Sequence, residues 1–339
     1  MKVAEMGSQS PSQQGSPVLK TANILSATAS DSHHAKVAIL QCTLNGQHFL
    51  AEQLDWIEAQ TYPNWKVYVS DDGSADDTLL ILYQYRAKWG DDRIEVLSGP
   101  AEGFLANFLS LTCRTDIRAE YYAYADQDDV WEAEKLGRAI AWLERVPAGI
   151  PALYCSRTRL IDAKGREIGL SPLYARPPSF ANALVQCIGG GNTMVFNEAA
   201  RDLVRQAGEH ASVVTHDWWA YLLVTGCGGK VFCDPRPTVR YRQHGNNLVG
   251  SNVIGFARLL RMRMLFDGVL GGWIDLNARA LQRIRLRLTP ESRRVLDEFH
   301  TARKRPLLPR LIGLKRSGIY HQTLPGNLAL FAAALLNKL

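Results

Sequence analysis

Tyr121-Tyr122-Ala123-Tyr124-Ala125-Asp126-Gln127-Asp128-Asp129-Val130-Trp131 is the stretch on which the reading of this chain turns. An aromatic, apolar run feeds straight into three carboxylates within four residues. Aromatic side chains favour a strand. Carboxylates crowded at a strand end raise one another's pKa unless a cation sits between them. A hard divalent metal takes oxygen ligands and bridges to phosphates, so it fits that place. The plain alternative is a solvated acidic turn that caps the next helix.

Working outward, strand and helix alternate from residue 36 to about 145. Residues 36–43 form a short, nearly continuous apolar run, as a strand covered on both faces requires. Asn45-Gly46 supplies a turn, and Phe49, Leu50, Leu54, Ile57 and Ala59 then recur at helical spacing. Residues 65–70 read as a second strand. It ends in Asp71-Asp72-Gly73-Ser74, and Asp76 and Asp77 offer N-cap groups to a helix over 79–89. Residues 93–97 read as a third strand, and Gly103-Phe104 opens a helix containing Asn107 and Phe108. The pattern predicts an α/β fold with a doubly wound, mostly parallel sheet. Ligands of such sheets bind beyond the carboxyl ends of the strands. Three loops place polar groups there: 43–45, 70–74 and 126–129. No GxGxxG and no GxxxxGK[ST] follows the first strand, which argues against a dehydrogenase or a P-loop ATPase.

Beyond residue 150 the alternation changes. Residues 160–168 read as a hairpin around Lys164-Gly165. Gly189-Gly190-Gly191-Asn192 precedes a strand; its glycines serve either a close backbone approach or a turn. His216-Asp217-Trp218-Trp219 starts an apolar helix. Asp217 there suits the helix dipole; equally, the histidine and the pair of tryptophans offer a cleft wall. Residues 239–247, Val-Arg-Tyr-Arg-Gln-His-Gly-Asn-Asn, read as a polar loop.

The chain has 339 residues, ample for a buried core, and a formal net charge of +6, with basic runs concentrated C-terminally. Residues 1–35 read as a disordered leader. Residues 251–339 read as basic amphipathic helices, with an apolar stripe of Phe256, Leu259, Leu260, Met264 and Leu265. The apolar tail 324–336 is too short to span a bilayer and reads as a docked helix or a monotopic anchor. Six scattered cysteines without a CxxC pair indicate neither a disulfide framework nor a zinc site, and a cytoplasmic compartment is expected.

Taken together, Thr43-Leu44-Asn45-Gly46, residues 70–78, the acidic segment with Lys135, and His216-Asp217-Trp218-Trp219 resemble glycosyltransferase family 2, with its GT-A fold. The Asp-Gln-Asp-Asp-Val-Trp form and residues 241–247 resemble its rhamnosyltransferase-like branch. The resemblance implies a transferase domain over 36–250, with a nucleotide-binding half of about 36–150 and an acceptor half of about 151–250. It implies an inverting transfer of a sugar from a nucleotide sugar, with dTDP-L-rhamnose a candidate, to a cell-surface glycan or lipid-linked precursor. Asp71, Asp72, Thr43 and Asn45 would surround the nucleoside, with Asn107 lining the same pocket. Asp126 would face the ribose or sugar, and Lys135 and Arg242 would serve the nucleotide sugar. Asp128, with His244, would bind Mg²⁺ or Mn²⁺, and Asp217 would be the general base. The Gln-x-x-Arg-Trp motif of the family's processive synthases is missing, so transfer of one or a few sugars is expected. Peripheral contact with the inner face of the plasma membrane through the basic C-terminal region is a further expectation; nucleic acid is not an expected partner. A nucleotidyltransferase, or a non-catalytic nucleotide-sugar-binding protein, is the alternative.

Overall fold

The structure, a computed structural model, describes residues 34–244 and 268–339. The leader over 1–33, the Gly245-Asn246-Asn247 end of the polar stretch and the stripe from Phe256 to Leu265 lie outside the described residues.

Strands β1 (Val37–Thr43), β2 (Trp65–Asp71), β3 (Ile94–Ser98) and β4 (Tyr121–Ala125) pair in parallel, with β1 between β2 and β4. Helices α1 (Leu50–Glu58), α2 (Thr78–Trp89) and α3 (Phe104–Cys113) make the crossovers. β1 is buried along its whole length. Val37 and Ile39 enter a core layer with Leu50, Leu54 and Ile57 of α1. Ala38 and Leu40 enter the opposite layer, with Phe108 and Leu109 of α3. A strand walled on both sides has no solvent face, which is why its sequence reads as an apolar run. β4 divides the same way: Tyr122 and Tyr124 join the α3 layer, Ala123 and Ala125 the α1 layer.

The second half comprises β5 (Val130–Trp131), α4 (Lys135–Leu143), β6 (Ala152–Asp162), β7 (Glu167–Leu170), α5 (Phe180–Ala183), β8 (Val195–Asn197), α6 (Glu198–Ala207), α7 (His216–Gly226) and β9 (Lys230–Gln243). The sheet order is β3-β2-β1-β4-β8-β6-β9-β5, with β7 paired to β6. β8 is antiparallel to both neighbours and β6 is parallel to β9. The parallel pattern expected throughout thus holds for the first half and gives way to a mixed half. The hairpin at Lys164-Gly165 is present, with Gly165 at φ 78°.

β9 differs from the reading above. It continues through Val239–Gln243 as strand rather than becoming a loop at Val239. Pro235 and Pro237 cannot donate to a ladder. The β6–β9 register shifts beside them, between Ser156 and Thr158, and pairing then resumes. The carboxylate of Asp234 fastens the bulge, accepting from Arg138 (2.6 Å), the Tyr154 hydroxyl (2.8 Å) and the Arg236 amide (2.9 Å).

The C-terminal region is helical: α8 (Val269–Arg283), α9 (Pro290–Arg303), α10 (Leu307–Ser317) and α11 (Leu324–Leu335). Leu281, Leu296 and Phe299 extend the core layer that holds α7. Among the described residues no helix is long and apolar enough to cross a membrane.

Candidate active site

At the carboxyl ends of β1 and β2 the two loops are woven together. Thr43 Oγ1 donates to Asp71 Oδ2 at 2.8 Å, and the Ser74 hydroxyl donates to the same oxygen at 2.6 Å. Asp71 Oδ1 accepts the Ser74 amide at 2.8 Å. Asn45, at φ 51°, accepts the Ala75 amide on its side chain and donates its own amide to the Ser74 hydroxyl. Asp76, rather than Asp77, caps α2, accepting from the Thr78 amide at 3.0 Å. Asp72 reaches the other way: its carboxylate accepts the amides of Ala101 (2.7 Å) and Gly103 (2.8 Å) at the entry to α3. Asn107 donates to Ser70 O at 2.9 Å, while its buried Oδ1 has no hydrogen-bond partner among the described residues. Asp71 and Asp72 therefore hold the shape of this floor with their own carboxylates.

The acidic loop is tied to that floor by Gln127, whose side chain accepts the Leu44 amide at 2.9 Å and donates to Leu44 O at 3.0 Å. A side chain at Gly46 would collide with this amide, so the turn needs its glycine. Asp128 Oδ2 lies 2.7 Å from His244 Nε2. Asp129 is buried and bonded to the Asn192 side chain and the Arg242 amide. Arg242 is buried too, donating to Asp128 O (2.9 Å) and Glu52 (2.7 Å), so its guanidinium braces the loop from behind. Lys135 starts α4, fully buried, with Nζ 3.3 Å from the Trp131 ring centroid and no hydrogen-bond partner among the described residues. Burial presses its pKa well below the usual lysine value, and the charges of Asp129 and Asp126 oppose that shift.

Burial, with Asp128 and then Asp217 beside it, pushes the Asp126 carboxyl up to about 7, against a smaller pull downward from Lys135. Burial and the charges of Asp128 and Asp126 likewise hold Asp129 well above the usual carboxylate range. Burial of the Cys42 thiol raises its pKa, and Asp126 and Asp72 add to the rise. The three acidic stations near 72, 126–129 and 217 thus feel common neighbours.

Asp217 sits in the first turn of α7. Its Oδ2 accepts the Gly191 amide at 3.1 Å. The next residue, Asn192, bonds to Asp129, so one turn ties both carboxylates. A Cβ on Gly191 would collide with the His216 ring, which settles the role of that glycine as close approach. His216 stacks on Phe108 (centroids 3.9 Å apart) and meets Tyr124 edge-on (4.8 Å). Burial lowers its pKa to about 4, with Asp217 opposing, so the ring is neutral at neutral pH. The tryptophans form no cleft wall: Trp218 and Trp219 are core residues, and Trp218 Nε1 donates to Ala183 O at 2.7 Å.

Sequence reading missed Gln127, Asn192 and His216. Gln127 stood inside the acidic motif and Asn192 directly after the glycines, so proximity to both motifs was the available signal. Among the described residues no three His, Cys, Asp or Glu side chains form a metal-holding group.

A parallel half-sheet with polar loops at its carboxyl ends, continued by a mixed half that brings in one more carboxylate, defines a GT-A fold of the nucleotide-sugar transferase class. Residues 39–203 match the model of Glycosyl transferase family 2, and the chain belongs to that family: it is a glycosyltransferase. It is 27% identical to the dTDP-rhamnosyl transferase RfbG of Shigella flexneri over 231 residues, covering 66% of this chain and 78% of that one. It is 34% identical to the putative glycosyltransferase EpsE of Bacillus subtilis (strain 168) over 110 residues, 32% of this chain and 39% of that protein. A crystal structure of S. aureus TarS 1-349 in complex with UDP-GlcNAc shares the fold, with a TM-score of 0.51 at 15% identity over 84% of this chain and 93% of that one.

Proposed function

We propose that this chain is a metal-dependent, inverting glycosyltransferase that moves one or a few sugars from a nucleotide sugar to a hydroxyl of a cell-surface glycan or lipid-linked precursor. The observation that carries the proposal is the set of linked carboxylates: Asp217 and Asp129 fixed by one Gly191-Asn192 turn, with Asp126 beside both Asp128 and Asp217. The likeness to RfbG supports dTDP-L-rhamnose as donor. The transferase domain would run over 36–250, with its nucleotide half at 36–150, its acceptor half at 151–250 and the helices of 251–339 appended. The enzyme would work at the cytoplasmic face of the plasma membrane, where a lipid-linked acceptor lies.

The residues fit a divalent cation held by few protein donors. Asp128 and His244 present an oxygen and a nitrogen side by side, and Asp126 and Asp129, raised first by burial and then by their acidic neighbours, are carboxyls whose charged form a cation would favour. Mg²⁺ is commonly held by one or two carboxylates together with substrate phosphates. When bound, Mg²⁺ or Mn²⁺ would supply positive charge against the departing diphosphate. The floor of Thr43, Asn45, Asp71 and Asp72, with Asn107 beside it, would receive the nucleoside; the unpartnered Asn107 Oδ1 is an acceptor ready for a donor. Asp126 would face ribose or sugar. Lys135 would add positive charge beneath the acidic loop, and Arg242 would hold that loop to β9.

In the reaction the acceptor oxygen forms a bond to the anomeric carbon from the face opposite the diphosphate. The carbon–oxygen bond to the diphosphate breaks and its electron pair leaves with that oxygen. The acceptor proton passes to an Asp217 oxygen. One displacement inverts the anomeric centre, so no covalent enzyme intermediate is required. The Gly191 amide and the first turn of α7 aim the Asp217 carboxylate.

The test is release of free nucleoside diphosphate from dTDP-L-rhamnose by the purified full chain and by Asp217→Asn and Asp128→Ala. Loss of roughly 10²- to 10⁴-fold for Asp217→Asn is expected, with unchanged circular dichroism. Full turnover by both variants rejects the assignment. Rhamnose 1-phosphate released in place of the nucleoside diphosphate points instead to nucleotidyl transfer.

A further inference from the structure

We infer that α10 and α11 form a docking face for an anionic lipid bilayer, with the arginines of α9 and α10 receiving lipid phosphates. The twelve residues of α11 include no charged side chain. Its buried side carries Leu330, Ala333 and Ala334. Its outer side carries Leu324, Leu328, Phe331 and Leu335, exposed by 73%, 62%, 54% and 44%. Steps of four, three and four residues place these on one stripe, where a surface helix ordinarily carries polar groups. The adjoining α10 exposes Leu308 by 72% and Ile312 by 56%. Single exposed leucines are ordinary, but stripes on two packed helices call for a partner.

Charge says which partner. An open groove of about 920 Å³ runs between α9 and α10, and Arg293, Arg294, Arg305 and Arg316 line it together with Ile312. Two acids also line the groove: Asp297 is paired with Arg285 at 2.6 Å, and Glu298 still leaves arginine in excess. Among the described residues no ion pair holds Arg294, Arg305 or Arg316. Guanidinium groups match phosphate geometry with paired donors. Ile312 belongs to both the apolar stripe and the cationic groove, so the two features are continuous. Apolar side chains at the acyl boundary with arginines at the headgroup level are the arrangement of a helix lying in a membrane interface. α11 is about 18 Å long against a hydrocarbon core of about 30 Å, so it lies on the bilayer rather than across it. A second copy of this chain would set arginines against arginines, which disfavours a dimer through the same face.

The docking face is joined to the candidate active site. Tyr320, between α10 and α11, accepts from Asn182 through its carbonyl at 2.9 Å and from Ser179 through its hydroxyl at 3.0 Å. Tyr221 of α7 donates to Asn182 at 2.9 Å, and α7 begins with the turn that carries Asp217. Bilayer contact would therefore set the height of Asp217 above the membrane.

The test is sedimentation of the full chain with phosphatidylcholine vesicles and with vesicles containing phosphatidylglycerol, at low and high salt. It needs no donor or acceptor, so its outcome is independent of the proposed chemistry. Binding is expected on anionic vesicles and weakened by salt. At about fivefold per basic residue, the triple variant Arg294→Gln/Arg305→Gln/Arg316→Gln should lose about a hundredfold in partition. Leu328→Asp/Phe331→Asp should lose more than about tenfold, and since both side chains are exposed, its unfolding midpoint should match that of the parent. Equal binding to neutral vesicles overturns the inference, as does binding indifferent to both variants. Absence of binding by the folded protein, or a soluble dimer dissolved by Leu328→Asp, also overturns it.

Discussion

His216 and Asp217 are adjacent, yet the fold surrounds them differently. Asp217 keeps a backbone amide as partner and the start of a helix behind it. His216 is sealed between Phe108, Tyr124 and Gly191, and neither ring nitrogen is hydrogen-bonded among the described residues. Its pKa, lowered to about 4 chiefly by burial, lies below the unfolded value of about 6.5. Above pH 6.5 both states hold the ring neutral and nothing is lost. As pH falls from 6.5 towards 4, the unfolded chain takes up a proton that the folded one refuses, and stability drops. At about 1.4 kcal/mol per unit the loss approaches roughly 3 kcal/mol. Urea unfolding at pH 7.5 and pH 4.5 should show this extra loss in the parent and not in His216→Gln. Equal pH slopes for the two proteins would mean that the ring is protonated or solvated in the fold. Asp217 could be picked out in the sequence because it heads an apolar helix. His216 could not, because nothing in its neighbours along the chain announces that α3 and the glycine turn close over it.

Among the elements, those with one repeating pattern were the legible ones. β1 and β4 are covered on both faces, so their sequences are apolar throughout, and α1 and α2 end close to where their sequence reading ends. β9 was illegible past Pro237: two prolines mimic a strand end, while Asp234 with Arg138 and Tyr154 holds a bulge that lets the strand resume. The tryptophans of α7 misled for a related reason. That helix is apolar on nearly every side because α5, α6 and β6 surround it, so exposure could not be inferred from spacing. The glycine turn was legible as a motif, though not in purpose. Its purpose gives a prediction: Gly191→Ala puts a methyl group against His216 and pushes the Gly191 amide away from Asp217. Such overpacking costs about 1–3 kcal/mol. Turnover should fall well beyond the modest drop in stability, roughly tenfold or more, since small misplacements of reacting groups are costly. Gly190→Ala, one position away, would meet only the tip of the Asn192 side chain and serves as the comparison. Equal turnover in the two variants would leave the turn no part in aiming Asp217.

For the whole molecule, the first half-sheet supplies the floor at Thr43, Asp71 and Asp72, while the second contributes His244 after β9 and Asp217 on α7. The acidic loop between β4 and β5 bonds to both: Gln127 to Leu44 on one side, Asp128 and Asp129 to His244 and Asn192 on the other. A ligand filling this seam would touch elements from across the chain and so resist global unfolding. Binding to the native state alone stabilises by about 2.7 kcal/mol at a hundred times the dissociation constant, worth roughly 4 °C in midpoint for a chain of this size. Nucleotide sugars should therefore raise the unfolding midpoint in the presence of Mn²⁺, with dTDP-L-rhamnose giving the largest rise. Chelation of the metal should remove most of that rise, leaving what the nucleoside floor supplies alone. Asp128→Ala should behave in Mn²⁺ as the parent does in chelator, because it takes one donor from the pair with His244. A flat response across the sugars, or a parent-sized Mn²⁺ effect in Asp128→Ala, would detach the acidic loop from donor binding. Asp217→Asn separates the two ends of the seam: with the proposed part of Asp217 being to take the acceptor's proton, it should keep the full donor-dependent rise while losing turnover.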